Sequence, residues 1–415
     1  MKTAVAILAL AAAALAQNFA DLRPSPQQVA WQDLEIGVLI HFGPNTFMDR
    51  EWGDGTADPK VFDPKQLDAE QWARAAKAAG ARYLIMVAKH HDGFCLWPSR
   101  HTAYSVKSSP WRGGKGDLVR EVELAARKHG LQFGVYLSPW DRHEPSYKDN
   151  QAYDRYYRNQ MRELVTRYGE LTEWWLDGAG SEGHVYDFDS YVDELRTYQP
   201  NTLIFADVGF LKYGDIRWVG NESGYASETN WNVIDRRGYL RYRPAEADTP
   251  LRKDHWFWHP GAEARLKSLP ELIDTYHRTV GRGAQLVLGL APDDRGLIPD
   301  VDVKRLEEFG AAIAKIYAKP AAPMLAGPGQ INLPRPVAID RAVLSERLEH
   351  GQRVAEYRID VQAVNGQWTT VARGTTIGHK KIDLFPRITA TAVRLEILRS
   401  FGDPQIREFS LYDAP

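Results

Sequence analysis

Residues 173–179 have the sequence EWWLDGA, an apolar strand that ends in Asp177 and is followed at once by Gly178. Residues 81–94, ARYLIMVAKHHDGF, repeat the pattern, because polar side chains again crowd the carboxyl end of an apolar strand. Polar residues in this position face a cleft when the strands belong to parallel βα units. The two segments together predict an active-site cleft at one end of a parallel barrel.

Strand-like and helix-like segments alternate from Ile36 to about Tyr317, which is typical of βα units around a parallel sheet. Strands are predicted at 36–42, 83–88, 133–137, 173–176, 203–206 and 285–290. The sixth and seventh barrel strands are poorly marked. About 280 residues of such alternation without a Gly-rich dinucleotide fingerprint favour a (β/α)8-like, TIM-type barrel over a doubly wound sheet. Asp68 and Ser268, each followed three residues later by Gln or Glu, predict the starts of two helices with capping boxes.

The composition changes after Lys319. Prolines interrupt a loop at positions 320, 323, 328, 334 and 336, and short alternating runs follow at 354–361, 367–371, 392–398 and 406–411. Such runs predict a small C-terminal β-sandwich. We therefore expect a catalytic barrel domain over 17–320 and a sandwich over 321–415.

The first residues have the features of a signal peptide. Lys2 precedes an apolar run, 4–16, which ends in the small-residue motif Ala14-Leu15-Ala16. This pattern predicts cleavage after Ala16 and a secreted or periplasmic protein. The run is shorter than the roughly 20 apolar residues that a membrane-spanning helix needs, and no later segment qualifies, so no membrane insertion is expected.

The charge balance argues against two classes of partner. Lys and Arg number 52 against 54 Asp and Glu, for a net charge of −2. This balance provides no electrostatic basis for binding nucleic acid or an anionic membrane surface. A neutral ligand fits better, and the 13 Trp and 19 Tyr offer flat amphipathic rings that suit sugars as well as ordinary cores.

The residues after each apolar run are the candidate site residues, because the active site of a barrel lies at the carboxyl ends of its strands. They are His41, His90, His91, Asp92, Tyr136, Trp140, Asp141, Asp177, Arg217 and Glu222. Two carboxyl groups about 5 to 5.5 Å apart, one ionised and one protonated, would cleave a glycosidic bond with retention. Asp177 suits the nucleophile, and Glu222, in a Gly-containing loop, suits its partner. Spacing alone leaves Glu51, Asp92 and Asp141 as competitors for the second role.

A metal site is not predicted. His90, His91 and Cys95 lack the spacing of a two-His helical pair or of paired cysteines. Cys95 is the only cysteine of the chain, and its apolar neighbours predict a buried packing thiol.

Five motifs stand out, namely IHFGPNTFMDREWGDG (40–55), AKHHDGFCLW (88–97), GVYLSPWDRH (134–143), WWLDGA (174–179) and RWVGNE (217–222). In this order they resemble the α-L-fucosidases of glycoside hydrolase family 29. The resemblance extends over about residues 31–319, and the chain from about residue 331 resembles a discoidin-like sandwich. The resemblance to the α-L-fucosidases implies hydrolysis of α-L-fucosides without a cofactor.

The resemblance also implies roles for individual residues. In that family the Asp of the W-x-D-G motif is the nucleophile of a retaining double displacement, which implies this role for Asp177. In the branch that prefers α-1,3- and α-1,4-linked fucose, the Glu of the G-N-E motif is the acid/base, which implies Glu222. The implied fucose-binding residues are His41, Glu51, Trp52, His90, His91 and Tyr136, with Arg217 and Trp256 added on less specific matches.

We therefore expect an exo-α-L-fucosidase that removes terminal fucose from branched, Lewis-type oligosaccharides or glycoconjugates. Two alternatives stay open. One is a broader enzyme that also accepts α-1,2 linkages, another 6-deoxy sugar or a galactoside, and the other is a non-catalytic fucose-binding lectin on the same barrel. For the sandwich, a packing role is the first interpretation and a weak glycan contact the second.

Overall fold

The computed structural model describes residues 21–181, 183–206, 214–234 and 240–413. The predicted signal peptide, 1–16, lies outside the described residues. Eight parallel strands close into a barrel, and a five-stranded antiparallel sheet follows. The predicted (β/α)8-like barrel with a small C-terminal β domain is confirmed, and the strands of that domain, predicted as a β-sandwich, belong to one five-stranded sheet.

The strands of the first domain are, in chain order, β1 (Ile36–Ile40), β2 (Tyr83–Lys89), β3 (Gln132–Leu137), β4 (Glu173–Leu176), β5 (Leu203–Ala206), β6 (Ile216–Trp218), β7 (Val233–Ile234), β8 (Arg241–Tyr242), β9 (Ala245–Pro250) and β10 (Gln285–Leu290). The barrel order is β1-β10-β9-β6-β5-β4-β3-β2, and β7 pairs with β8 in a separate hairpin. Every strand predicted for the barrel forms, and only the first one is two residues shorter than expected.

The sixth and seventh barrel strands, β6 and β9, were hard to predict for physical reasons. Strand β6 has three residues. Strand β9 has the sequence AEADTP, and its two acids, Glu246 and Asp248, are buried. A strand that carries carboxyl groups into the barrel and ends in Pro250 shows no apolar run from which it could be recognised.

The helices are α1 (Pro26–Gln32), α2 (Pro44–Met48), α3 (Ala69–Ala78), α4 (Leu118–Lys128), α5 (Asn150–Arg167), α6 (Phe188–Tyr198), α7 (Leu269–Thr279) and α8 (Asp300–Ile316). Helix α7 begins with the predicted capping box of Ser268 and Glu271. Asp68 caps helix α3 as predicted, but the Gln71 side chain bonds the backbone of Ile298 instead of returning to the cap. No described helix is long and apolar enough to cross a membrane.

Barrel strands bury both faces, as parallel strands covered by helices do. In β2, Tyr83, Ile85 and Val87 belong to a cluster inside the barrel, and the alternate residues pack in the larger cluster against the helices. Gly37 on β1 makes room for the inner layer, because a Cβ at this position would lie 2.2 Å from the Tyr83 ring.

The C-terminal strands are β11 (Gly329–Glu346), β12 (Val354–Ala363), β13 (Trp368–Gly374), β14 (Lys381–Ser400) and β15 (Ile406–Tyr412). They form one sheet in the order β13-β12-β14-β11-β15, and bulges interrupt the long strands β11 and β14. The sheet has its own apolar core and contacts the amino-terminal rim of the barrel, where His379 pairs with Asp33 at 2.8 Å. Gln352 also bonds the segment that follows β6, at Asn232 N (2.9 Å) and Asn230 O (3.1 Å).

Candidate active site

A cavity of about 530 Å³ opens at the carboxyl ends of the barrel strands, a size typical of small-molecule sites. Eight of the ten residues to which the family resemblance gives a catalytic or fucose-binding role line it, namely His41, Trp52, His90, His91, Tyr136, Asp177, Glu222 and Trp256. The other lining residues are Leu39, Trp175, Gly178, Ala179, Ser181, His184, Tyr186, Phe188, Phe205, Trp218 and Asp248. Among the described residues, no group of His, Cys, Asp or Glu is arranged to hold a metal ion.

Asp177 is a carboxylate that two hydrogen bonds hold in place in this cavity. It follows β4 directly, and its two oxygens accept different hydrogen bonds. The Tyr136 hydroxyl donates to Oδ2 at 2.7 Å, and the Ala179 N–H donates to Oδ1 at 2.9 Å. Burial raises the pKa of Asp177, and these two donors oppose the rise because they stabilise the ionised form. A carboxylate fixed in this way is suited to nucleophilic attack.

Stacked aromatic rings form the floor of the cavity. The Tyr136 ring stacks on Trp175, with centroids 5.2 Å apart and planes inclined by 22°. Trp175 stacks on Phe205 at 3.9 Å and 4°. The floor therefore combines an apolar surface with the one hydroxyl that reaches Asp177 from β3.

Three buried histidines, His41, His90 and His91, line one wall and are neutral. Burial lowers the pKa of His91 to about 3, and it lowers the pKa values of His41 and His90 well below the ordinary range. The Ser138 hydroxyl donates its one proton to Trp140 O, so its oxygen accepts from His91 Nδ1–H at 2.7 Å. The neutral ring then presents Nε2 as a hydrogen-bond acceptor, 3.5 Å from Asp177 Oδ2.

Two further carboxyl groups, Glu222 and Asp248, line the cavity. Glu222 is exposed at the tip of the loop that follows β6. Asp248 on β9 is buried and accepts a hydrogen bond from the Trp218 indole N–H. Burial raises the pKa of Asp248 well above its ordinary value, and the charges of Glu246 and Glu222 add to the rise. The cavity therefore holds Asp177 and two further carboxyl groups, of which Glu222 is the accessible one.

Two predicted fucose-binding residues do not line the cavity. Glu51 accepts hydrogen bonds from the N–H groups of Trp256 (2.9 Å) and Phe257 (3.3 Å), and it pairs with His259. It thereby holds in place the loop that presents Trp256 to the cavity. Arg217 bonds Asn230 and the backbone of the segment after β6. The fucose-binding roles of both residues stay predictions.

The other carboxylates that competed with Glu222 also lie outside the cavity wall. Asp141 forms a buried ion pair with Lys89 at 2.9 Å and accepts from the N–H groups of the loop after β3. Asp92 is 3% exposed and accepts from Phe94 N, and burial raises its pKa to about 7. Of the four carboxyl groups that the sequence offered as partners of Asp177, Glu222 is thus the one that lines the cavity.

Comparison with known proteins identifies the family. A family model described as alpha-L-fucosidase matches residues 47–316. This chain belongs to the α-L-fucosidase family. It is 38% identical to a putative alpha-L-fucosidase 1 of Oryza sativa subsp. japonica over 94% of this chain and 84% of the relative, and 36% identical to alpha-L-fucosidase 1 of Arabidopsis thaliana over 94% and 87%. The chain is thus a glycoside hydrolase with α-L-fucosidase activity.

Solved structures of fucosidases share its fold. A putative alpha-L-fucosidase from Bacteroides ovatus superposes with a TM-score of 0.89 at 37% identity, covering 96% of this chain and 75% of that one. A Ruminococcus gnavus family 29 fucosidase in complex with fucose superposes with a TM-score of 0.85 at 27% identity, covering 95% of each chain. These neighbours agree with a fucosylated glycan as the substrate.

Several residues of the fucosidase cavity were not predicted. His184, Tyr186 and Phe188 come from the segment after Asp177, and His184 stacks on Tyr147 at 4.2 Å. Their only signal in the sequence is a run of aromatic residues after a strand end, where barrel sites are built. Trp218 and Asp248 were missed because β6 and β9 were poorly marked.

Proposed function

We propose that this fucosidase is an exo-acting retaining enzyme in which Asp177 is the nucleophile and Glu222 the acid/base. In the first step Asp177 Oδ attacks the anomeric carbon, and Glu222 gives its proton to the departing glycosidic oxygen. In the second step water attacks the same carbon, Glu222 takes the proton of the water, and the Asp177 ester bond breaks. The observation that supports this assignment best is the doubly hydrogen-bonded Asp177 in the same cavity as the accessible Glu222.

The chemistry of the cavity suits L-fucose. Fucose is a neutral 6-deoxy sugar, so its hydroxyls need hydrogen-bond partners and its methyl group needs an apolar surface. The neutral histidines 41, 90 and 91 provide the partners, and Leu39, Trp175 and Phe205 provide apolar surface. The small net charge of −2 agrees with a neutral substrate.

The stereochemistry of the first product tests the proposed mechanism. Proton NMR recorded during early hydrolysis of 4-nitrophenyl α-L-fucoside should show α-L-fucose before mutarotation. Release of the β anomer would mean a single displacement and would remove the nucleophile role from Asp177.

Glu222→Gln tests the acid/base role separately. The variant should lose far more activity on fucosyl oligosaccharides, which need a proton on the leaving oxygen, than on aryl fucosides with a good leaving group. Equal losses on both substrates would show that Glu222 acts in another way.

For the substrate we propose terminal α-1,3- or α-1,4-linked fucose of branched, Lewis-type glycans, on the strength of the G-N-E segment at 220–222. The enzyme should release fucose from Lewis a or Lewis x trisaccharide and not from 2′-fucosyllactose. Comparable release from all three would favour the broad enzyme, and release from none, with fucose still bound, would favour the lectin.

We also propose export, on the basis of residues 1–16, which sequencing of the amino terminus of the mature protein would test.

A further inference from the structure

Two glutamates meet inside the barrel, below the sugar cavity. Glu173 is the first residue of β4, and Glu246 lies on β9, two residues before the cavity-lining Asp248. Both side chains are completely buried. Strands β4 and β9 are not neighbours, so their carboxyl groups approach across the barrel interior, where they hydrogen-bond to each other.

Each carboxyl group also accepts one indole N–H. Trp31 Nε1 donates to Glu173 Oε2 at 3.0 Å, and Trp175 Nε1 donates to Glu246 Oε1 at 2.8 Å. The remaining oxygens, Glu173 Oε1 and Glu246 Oε2, are buried, and the Tyr83 hydroxyl also hydrogen-bonds to Glu246. Among the described residues, no Lys, Arg or His side chain pairs with either glutamate.

A single proton held between the two carboxyl groups accounts for these contacts. Ionised carboxylates only accept hydrogen bonds, so a bond between two carboxyl groups requires a proton on one of them. Two ionised carboxylates that face each other in a buried site without a cation would be strongly disfavoured. One shared proton completes the bond between Glu173 and Glu246 and leaves each outer oxygen free for its indole.

The Trp175 indole links this pair to the reacting carboxylate. Its N–H is held by Glu246, and its ring stacks against Tyr136 at 5.2 Å. The Tyr136 hydroxyl in turn donates to Asp177 Oδ2 at 2.7 Å. A tilt of the indole would therefore displace both the cavity floor and one of the two donors to Asp177.

We propose that Glu173 and Glu246 are positioning residues that share one proton and thereby fix Trp175, Tyr136 and the Asp177 carboxylate. The pair does not touch the substrate. Its role in the reaction rests on the proposed assignment of Asp177 as nucleophile, whereas the geometry of the pair does not.

Substitutions of Glu246 distinguish a shared proton from a required charge. In Glu246→Gln the amide oxygen still accepts from Trp175, and the amide N–H₂ donates to an ionised Glu173, so kcat/KM on 4-nitrophenyl α-L-fucoside should stay within about 3-fold of wild type. Glu246→Met has a similar length but no acceptor, and kcat/KM should fall by roughly 10-fold or more. Equal damage in both variants would overturn the proposal.

A double-mutant cycle shows whether Glu246 acts through Trp175. Trp175→Phe removes the N–H donor and should lower kcat/KM by itself. Adding Glu246→Met to Trp175→Phe should then cost no more than about 2-fold further, because both changes break the same hydrogen bond. Additive losses would mean that Glu246 supports folding generally, and the positioning role would be rejected.

Two controls keep the outcomes distinct. If Glu246→Met does not fold, as judged by circular dichroism, Glu246→Gln is compared with Trp175→Phe instead. Activity in Glu246→Gln together with impairment in Trp175→Phe supports the proposal. Impairment in Glu246→Gln together with activity in Trp175→Phe overturns it. The role of Asp177 is tested independently with Asp177→Ala in sodium azide. Appearance of β-L-fucosyl azide supports the nucleophile assignment whatever the Glu246 variants show.

Discussion

Replacement of Tyr136 by Phe should shift the acid limb of the pH profile. The Tyr136 hydroxyl donates to Asp177 Oδ2 at 2.7 Å, and this bond lowers the pKa of a carboxyl group that burial raises. Removing the hydroxyl leaves burial opposed by the Ala179 N–H alone, so the pKa of Asp177 should rise further. The ring remains, and its stacking on Trp175 keeps the cavity floor in place.

The size of the shift follows from the strength of the bond. A hydrogen bond to a charged group contributes roughly 1.5–3 kcal/mol, and one pKa unit corresponds to about 1.36 kcal/mol. The pKa of Asp177 should therefore rise by about 1 to 2 units in Tyr136→Phe. Because the nucleophile must be ionised, activity is present above this pKa and is lost as the pH falls through it. The acid limb should move upward by the same amount.

The assay is kcat/KM for 4-nitrophenyl α-L-fucoside between about pH 4 and about pH 9, because this parameter reports the ionisation of the free enzyme. Tyr157→Phe is the matched control. Its buried hydroxyl donates to Leu137 O at 2.7 Å, beside Tyr136, and it does not line the cavity. The control should leave the acid limb unchanged. A lower plateau with an unshifted acid limb in Tyr136→Phe would refute the electrostatic role of the hydroxyl.

Three further predictions concern groups around the cavity. Asp248→Asn keeps an oxygen that accepts from the Trp218 N–H and should stay within a few-fold of wild type. Asp248→Leu leaves this N–H unpaired and should lower kcat/KM by about 10-fold. Lys89→Met leaves the buried Asp141 carboxylate without its cation and should lower the free energy of unfolding, measured in urea, by about 3–5 kcal/mol. The double variant Lys89→Met with Asp141→Leu should recover much of this loss. Gln352→Ala removes two bonds to the segment after β6 and should lower stability by roughly 1–3 kcal/mol; an unchanged unfolding midpoint would show that the C-terminal sheet does not brace this segment.

The sequence predicted most of the barrel because apolar strands with polar ends are a local pattern. His90, His91, Tyr136 and Asp177 were found for the same reason, since each lies at or near a strand end. Strand β9 was not found, because the acids that it buries are stabilised by contacts across the barrel that no local pattern contains.

The limits of the site prediction have a similar origin. Glu51 and Arg217, whose fucose-binding roles stay predictions, each form hydrogen bonds to backbone beside the cavity, and such contacts depend on tertiary packing. His184 reaches the cavity because its loop folds back onto Tyr147, which lies 37 residues earlier in the chain. Contacts of this kind appear only once the chain is folded.

The proposed mechanism is tested most directly by trapping the covalent intermediate. A 2-deoxy-2-fluoro-L-fucosyl fluoride should form the ester quickly and release it slowly, because the fluorine destabilises the positively charged transition states of both steps. Mass spectrometry of peptides from the inactivated protein should find the sugar on Asp177, within residues 173–179. A label on any other carboxyl group, or inactivation that still occurs in Asp177→Ala, would contradict the assignment of the nucleophile.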